Sequence, residues 1–310
     1  MTAIAIRPLR ESELAAADQI FRLAFGTFVR MPDPLAFAGD SRWVHGRWRA
    51  DPAASVAAEL DGEVVGSNFA TYWGSVGFFG PLTVRPDLWD KGIARRLLEA
   101  TLPLFERAGV RHVGLYTFPD SPKHLAVYQR FGFWPRFLTA VLEGAPDGPA
   151  CEALRWSQLA PDERRRLLAA ARVLTNAVHP GLDVTREIRA LADQGLGDVV
   201  ALGTLDALDG LAICHCGAGS EAGSGACYVK FGAVRPGDTD RFTALVDACA
   251  TLARDRRLER LVAGVNTARR TAYRQLLARG MRTDLLGVSM HRGDEPVYDH
   301  PDALVIDDWR

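Results

Sequence analysis

Polar and apolar residues alternate over Ile4–Pro8, which predicts a first strand. Leu14, Ile20, Leu23 and Ala24 recur at helical spacing within Glu11–Phe25, with Ser12 as a candidate cap. Thr27–Arg49 follows neither period. It holds Pro32, Pro34, Trp43 and Trp48 and is expected to be irregular, the kind of segment that often carries binding groups. Ala53–Leu60 and Glu63–Tyr72 read as strands around an Asp61-Gly62 hairpin turn. Gly74–Gly77 turns the chain again into Phe78–Val84, so three antiparallel strands lead up to Pro86. Ile93, Leu97, Leu98, Leu102 and Phe105 then mark one face of a helix over about Gly92–Ala108, in which Pro103 should introduce a kink. Val113–Phe118 is a strand, Ser121–Phe131 a short helix and Trp134–Leu142 a last strand. Gly144–Pro149 has the composition of a linker.

After that linker the order repeats. Leu159 and Glu163 stand where Leu9 and Glu13 stood, and Asp209-Gly210 answers Asp61-Gly62. Val234-Arg235-Pro236 answers Val84-Arg85-Pro86, Leu261–Val265 answers Val113–Thr117, and Gly280 answers Gly132. The offset stays between 148 and 150, the mark of a tandem duplication. The expected fold class is α/β with a mixed sheet, in two tandem domains spanning 1–145 and 151–310.

Composition narrows the classes of function. Hydrophobic residues make up 48% and charged residues 24% of 310, so the chain is globular and long enough for two domains. A net charge of −1 gives no attraction for nucleic acid or membrane surfaces. Met1–Arg10 has no signal-peptide run and no stretch approaches a membrane span, so the expected compartment is the cytoplasm. Five cysteines make no disulfide framework. Cys214 and Cys216 flank His215, which invites a metal reading, but alternate strand positions bury both thiols on one face and no second ligand pair lies nearby. No metal is expected.

The stretch richest in chemistry is Leu82-Thr83-Val84-Arg85-Pro86-Asp87-Leu88-Trp89-Asp90-Lys91-Gly92-Ile93-Ala94-Arg95, which reads as strand, tight loop and helix start. A small-residue loop at a helix N-terminus presents free backbone N–H groups and the positive end of the helix dipole, which suits phosphate. Alone, it is equally an ordinary strand-to-helix turn.

That loop, the long helix and strand after it, and a short helix with Tyr128 before Phe131-Gly132-Phe133 together resemble the GNAT acetyltransferase superfamily. The resemblance spans Ile4–Leu142, and Ala153–Arg292 as a degenerate second copy. In the superfamily's Gln/Arg-x-x-Gly-x-Gly/Ala pattern, Trp89, Gly92 and Ala94 hold the slots, with Trp89 a departure. The resemblance implies acetyl-CoA as co-substrate. It implies that backbone of Leu82, Thr83 and Val84 pairs with the pantetheine arm and that N–H groups across Asp90, Lys91, Gly92, Ile93, Ala94 and Arg95 hold the pyrophosphate. Ser121 takes the slot of a CoA-binding Asn, and His124 that of a common Ala. Tyr128 takes the slot of a Tyr that serves as general acid toward the leaving thiolate. Its alternative is a half-buried packing residue, and the acid role is preferred.

His124 lies one turn before Tyr128 on the same helix face. It could deprotonate an amine or bind substrate, or be a satisfied surface histidine. Asp120 is a weaker candidate base. Trp43, Trp48, Tyr72, Trp73 and Phe78 are expected in the core, some of them lining an apolar acceptor pocket. In the second copy the loop reads Gly237-Asp238-Thr239-Asp240-Arg241-Phe242, with aspartates where an anion would sit. Leu276 replaces Tyr128, Met281 replaces Phe133, and Tyr273 is one turn off. The expected activity is transfer of acetyl from acetyl-CoA to an amine of a small-molecule acceptor, in the first copy alone. The alternatives are a non-catalytic CoA-binding protein and a transferase of longer acyl groups.

Overall fold

A computed structural model describes residues 4–293 and 295–310; residues 1–3 and 294, which the ranges 1–145 and 151–310 include, lie outside the described residues. The first half runs β1 (Ala5–Pro8), α1 (Leu14–Phe28), α2 (Trp43–Ala50), β2 (Ser55–Leu60), β3 (Glu63–Trp73), β4 (Val76–Phe79), β5 (Thr83–Val84), α3 (Ile93–Arg107), β6 (His112–Thr117), α4 (Pro122–Gln129) and β7 (Phe133–Gly144). The second runs β8 (Leu154–Arg155), α5 (Pro161–Val178), α6 (Thr185–Asp193), β9 (Gly197–Thr204), β10 (Ala207–Gly217), β11 (Gly223–Val234), α7 (Thr239–Asp255), β12 (Arg260–Asn266), α8 (Arg270–Ala278), β13 (Arg282–Arg292) and the short β14 (Val305–Ile306). Element type follows nearly the same order in both halves, except that β11 runs unbroken where β4 and β5 are separate, and β14 is added at the end. Even a cap recurs. Arg10 N–H donates to Glu13 at 3.0 Å, and 150 residues on Ala160 N–H donates to Glu163 at 2.8 Å.

The periodic segments form the elements their patterns predict. α3 buries Ile93, Leu97, Leu98, Leu102 and Phe105 against the sheet and passes through Pro103 as one uninterrupted helix. Elsewhere the outcome differs. Thr27–Arg49 is helical at its two ends, where α1 extends to Phe28 and α2 begins at Trp43, and irregular between them apart from a single 3-10 turn at Pro34–Ala36. The turn answering Asp61-Gly62 is Leu205-Asp206, while Asp209-Gly210 lies inside β10. Phe78–Val84 is not one strand. It breaks after Phe79 and resumes as β5, so Leu82 lies outside the ladder.

All strands form a single mixed α/β sheet, in the order β1-β2-β3-β4-β6-β13-β7-β12-β11-β10-β9-β8, with β5 on β3 and β14 on β11. The middle of this order interlocks the halves. β13 lies between β6 and β7, with Val288 opposite Thr117 on one side and Leu138 on the other. β7 in turn pairs β12, with Leu142 opposite Ala263. The cores follow the strands. Met290 of β13 packs with Phe79 and Leu115, while Ala140 and Leu142 of β7 pack with Leu261 and Val265. Each half therefore completes the other's apolar interior.

Candidate active site

β4 and β6 run parallel and paired from Val76/His112 to Phe78/Gly114, then part. β4 ends at Phe79; the chain bulges through Gly80, Pro81 and Leu82; and β5 returns to β3, with Thr83 opposite Ser67 and Val84 opposite Gly66. β6 instead follows β13. The wedge between them opens into a cavity of about 1050 Å³. Leu82, Thr83, Val84, Trp89, Asp90, Gly92, Ile93, Ala94 and Arg95 line one side, and Leu115–Phe118, Ser121, His124 and Tyr128 the other. The predicted cofactor-binding residues thus meet in one place, except that Lys91 is exposed and does not line the cavity.

The loop geometry explains the small residues. Asp90 has φ 65° and Gly92 φ 75°, and Gly92 caps α3 without any side-chain hydrogen bond. A Cβ at Gly92 would meet nothing within 4 Å, so the loop is open on that side. The first N–H groups of α3 have no intrahelical acceptor and point out of the helix end. Trp89, the departure from the family pattern, is a local brace: its indole N–H donates to the Val84 carbonyl at 2.8 Å. Lys123 reaches across to Asp90 at 2.6 Å and lies 5.7 Å from the Trp89 ring, so the loop's own carboxylate is neutralised from α4. This cradle suits a pyrophosphate in shape and in donor set.

Ser121 caps α4 by accepting from His124 N–H at 3.5 Å, with Pro122 as the first helical residue. His124 lies 4.9 Å from the Phe28 ring, and its Nδ1 is buried with no hydrogen-bond partner among the described residues. Burial, helped by Lys123 and opposed by Asp120, lowers its pKa from 6.5, so the ring is neutral at neutral pH. Asp120 itself is exposed and does not line the cavity. Tyr128 is buried against Phe79 at 5.9 Å and bonded to the Thr117 side chain. Burial pushes its pKa up, so the phenol keeps its proton.

The other end of the cavity was not assembled from sequence. Phe21, Phe25, Phe28, Phe37 and Trp43 come from α1 and the segment expected to be irregular. Glu221–Ser224, Trp309 and Arg310 come from the second half. Trp43 had been singled out, but the tail gives no periodic signal. Trp48, Tyr72, Trp73 and Phe78 do not line this cavity. Trp73 and Phe78 are core, Trp48 donates to the Leu9 carbonyl at 2.9 Å, and Tyr72 packs on Phe105.

The corresponding wedge in the second half is filled. β11 and β12 pair as far as Val229/Ala263, and then β14 takes the open edge of β11, with Ile306 opposite Gly232 and Val305 opposite Ala233. Asp238 caps α7 by accepting from Arg241 N–H at 3.0 Å, and Leu276 is buried where Tyr128 would stand. The same tail fills the second wedge and packs against the central strand of each half. A Cβ on Gly264 would collide with Asp308, and one on its repeat partner Gly114 with the Trp309 ring. Cys214 and Cys216 sit in β10, with Cys214 Sγ 3.7 Å from Cys249 and Cys216 Sγ 3.9 Å from Cys227; hydrogen bonds between neighbouring thiols, and after them burial, raise the pKa of Cys216 and Cys227, and, against the pull of Cys227, Cys249 and burial raise that of Cys214. No group of three or more candidate metal ligands occurs among the described residues. No helix among them is long and apolar enough to cross a membrane.

A wedge-split sheet, an open helix N-terminus at the split and a cavity between them describe a GNAT acyltransferase fold. Residues 17–133 match the model of the acetyltransferase (GNAT) family. Similar solved structures extend over the whole chain. A GCN5-related N-acetyltransferase from Sphaerobacter thermophilus aligns over 94% of this chain and 98% of its own, at 15% identity and TM-score 0.58. A proposed acetyltransferase from Pyrococcus horikoshii aligns over 97% and 92%, at 13% identity and TM-score 0.67. A GCN5-related glucosamine N-acetyltransferase region of a fungal multi-domain β-N-acetylglucosaminidase aligns over 94% of this chain and 38% of its own, at 14% identity and TM-score 0.64. No curated protein matches the chain in sequence.

Proposed function

We propose that the first half binds acetyl-CoA and that its acetyl group passes to an amine by direct attack within a ternary complex. One observation supports this best: the open N-terminus of α3 at Gly92 and the protonated Tyr128 face the same cavity. The unpaired edge of β5 would take the pantetheine arm as an added strand, and N–H groups from Gly92 to Arg95 would hold the pyrophosphate. Bound acetyl-CoA supplies the acyl group and a thiol leaving group. Tyr128 keeps a proton at Oη at every working pH and can donate it where negative charge develops. His124, neutral and with Nδ1 unpartnered, can take the proton the attacking amine must lose. The second half serves as scaffold, closing the far end of the cavity with Glu221–Ser224 and the tail.

The test is turnover: acetyl-CoA or longer acyl-CoAs with a panel of amines, the acylated product and free CoA being read by mass spectrometry. Tight acetyl-CoA binding with no amine acylated would leave a CoA-binding protein in place of an enzyme. Faster turnover with a longer acyl-CoA would replace acetyl as the preferred group.

A further inference from the structure

We propose that the acceptor is an amine carried on an uncharged aromatic body, held by a phenyl-lined end of the cavity. The chemistry rests on the acyl-transfer reading; the binding does not. Phe25, Phe28, Phe37 and Phe118 line this end, and each is only half-buried. Phe25 and Phe37 stack at 5.3 Å and 12°, Phe28 lies 4.7 Å from Phe118, and Phe25 6.1 Å from Phe118. Rings of this size are normally removed from water. Here they present apolar surface to a cavity, and a flat apolar guest would cover it.

Two of the charged side chains at this end, Glu221 and Arg310, are held in ion pairs, while Asp40 has hydrogen bonds and no salt bridge among the described residues. Asp40 accepts from the backbone N–H and the hydroxyl of Ser224. Glu221 lies 2.9 Å from Arg47 and 2.9 Å from Lys230. Arg310 donates to Asp308 at 2.9 Å. A polyamine would find only the exposed Asp40 carboxylate for its further ammonium groups, and a polyol would cover the phenyl rings poorly. Three cavity-lining side chains keep a buried polar atom with no hydrogen-bond partner among the described residues, Thr83 Oγ1, Tyr116 Oη and His124 Nδ1, and His124 is the one in contact with the phenyl cluster. His124 touches the Phe28 ring and is one helical turn from Tyr128, so a body seated on the phenyl cluster carries its amine beside an unpartnered imidazole nitrogen.

Two experiments on the full chain separate binding from chemistry. With saturating acetyl-CoA, 2-phenylethylamine and tryptamine should exceed spermidine and glucosamine in kcat/KM by about tenfold or more, the scale of a 1.4 kcal/mol preference. Without acetyl-CoA, 2-phenylethanol, which has no amine, should bind in calorimetry. Phe28→Ala and Phe37→Ala should each weaken that binding about fivefold, the scale of a lost ring–ring contact, while Phe37→Leu, which keeps an apolar side chain of similar volume, should weaken it less. Binding of 2-phenylethanol with this variant pattern, but with no amine acetylated, would sink the acyl-transfer reading and uphold the pocket. Failure of 2-phenylethanol to bind, or a higher kcat/KM for spermidine or glucosamine, would overturn the pocket assignment.

Discussion

In the proposed reaction, two side chains one helical turn apart take opposite halves of a proton transfer because their surroundings act on opposite kinds of charge. Burial disfavours the phenolate of Tyr128 and the imidazolium of His124 alike, so one stays a donor and the other an acceptor. Tyr128→Phe keeps the ring against Phe79 and removes only the hydroxyl. Because a leaving thiolate needs that proton only as it forms, kcat should fall roughly ten- to a thousandfold while the acetyl-CoA dissociation constant moves little. Wild-type turnover in Tyr128→Phe, with chemistry rate-limiting, would return Tyr128 to a packing role. His124 sets the acid side. Its pKa is lowered from 6.5, so its neutral form is gained as pH rises through a value below 6.5, and the dependence due to it should be flat above 6.5. His124→Gln should remove that acid limb from kcat/KM. An unchanged limb in the variant would assign it to another group.

At the scale of elements, the halves differ at two helix ends. α3 begins at an uncapped Gly92 with open space around its Cβ position; α7 begins at Asp238, whose carboxylate already takes the Arg241 N–H. Calorimetry should therefore find one acetyl-CoA site per chain. Gly92→Glu, which adds bulk and negative charge at the cradle, should abolish it, whereas Gly237→Glu, at an open position just before the cap of α7, should leave it intact. A stoichiometry of two would contradict the filled second wedge. The loop was legible from sequence because its signals are local: a proline, a glycine and an apolar helical face. α2 was not, because the residues it buries are Val44 and Arg47, and a buried arginine reads as polar in any periodicity. Nor was the strand exchange. β7 and β13 each carry a continuous buried run, and nothing within either says which edge it joins. β14 is two residues long, too short to show a period, yet it fills the second wedge.

For the whole molecule, the order β6-β13-β7-β12 means neither half can be withdrawn without opening the other's sheet, so both should unfold in one transition. A buried charge network adds to that coupling. Arg47 of α2, Glu221, Lys230 of β11 and Glu187 of α6 are paired in series, with Trp73 donating to Glu187 at 3.2 Å. His215 sits against this network. Its Nδ1 accepts from Glu221 N–H at 3.3 Å, and its Nε2 is buried without a partner among the described residues. Burial first, then Lys230, pushes its pKa from 6.5 down to about 4, against the pull of Glu221 and Glu187. The sign of the linkage follows. Between those values the unfolded chain binds a proton that the folded chain does not, so stability is full above 6.5 and falls as pH drops toward 4. At about 1.4 kcal/mol per pH unit, His215 alone accounts for a loss of about 3 kcal/mol over that window. His45, His112, His124 and His179, all lowered by burial, act in the same direction. Glu221, held ionised by Arg47 and Lys230, joins only below 4.5, where its unfolded counterpart takes up a proton. The interval from 6.5 to 5 therefore belongs to the histidines. Urea unfolding followed by tryptophan fluorescence and by circular dichroism should give coincident transitions whose midpoint falls across that interval. His215→Gln keeps an acceptor for the Glu221 N–H but does not titrate, so its midpoint should fall less steeply. Parallel midpoint-versus-pH lines for variant and wild type would mean that His215 does not stay neutral in the fold, and two separated transitions would mean that the exchanged strands do not tie the halves together.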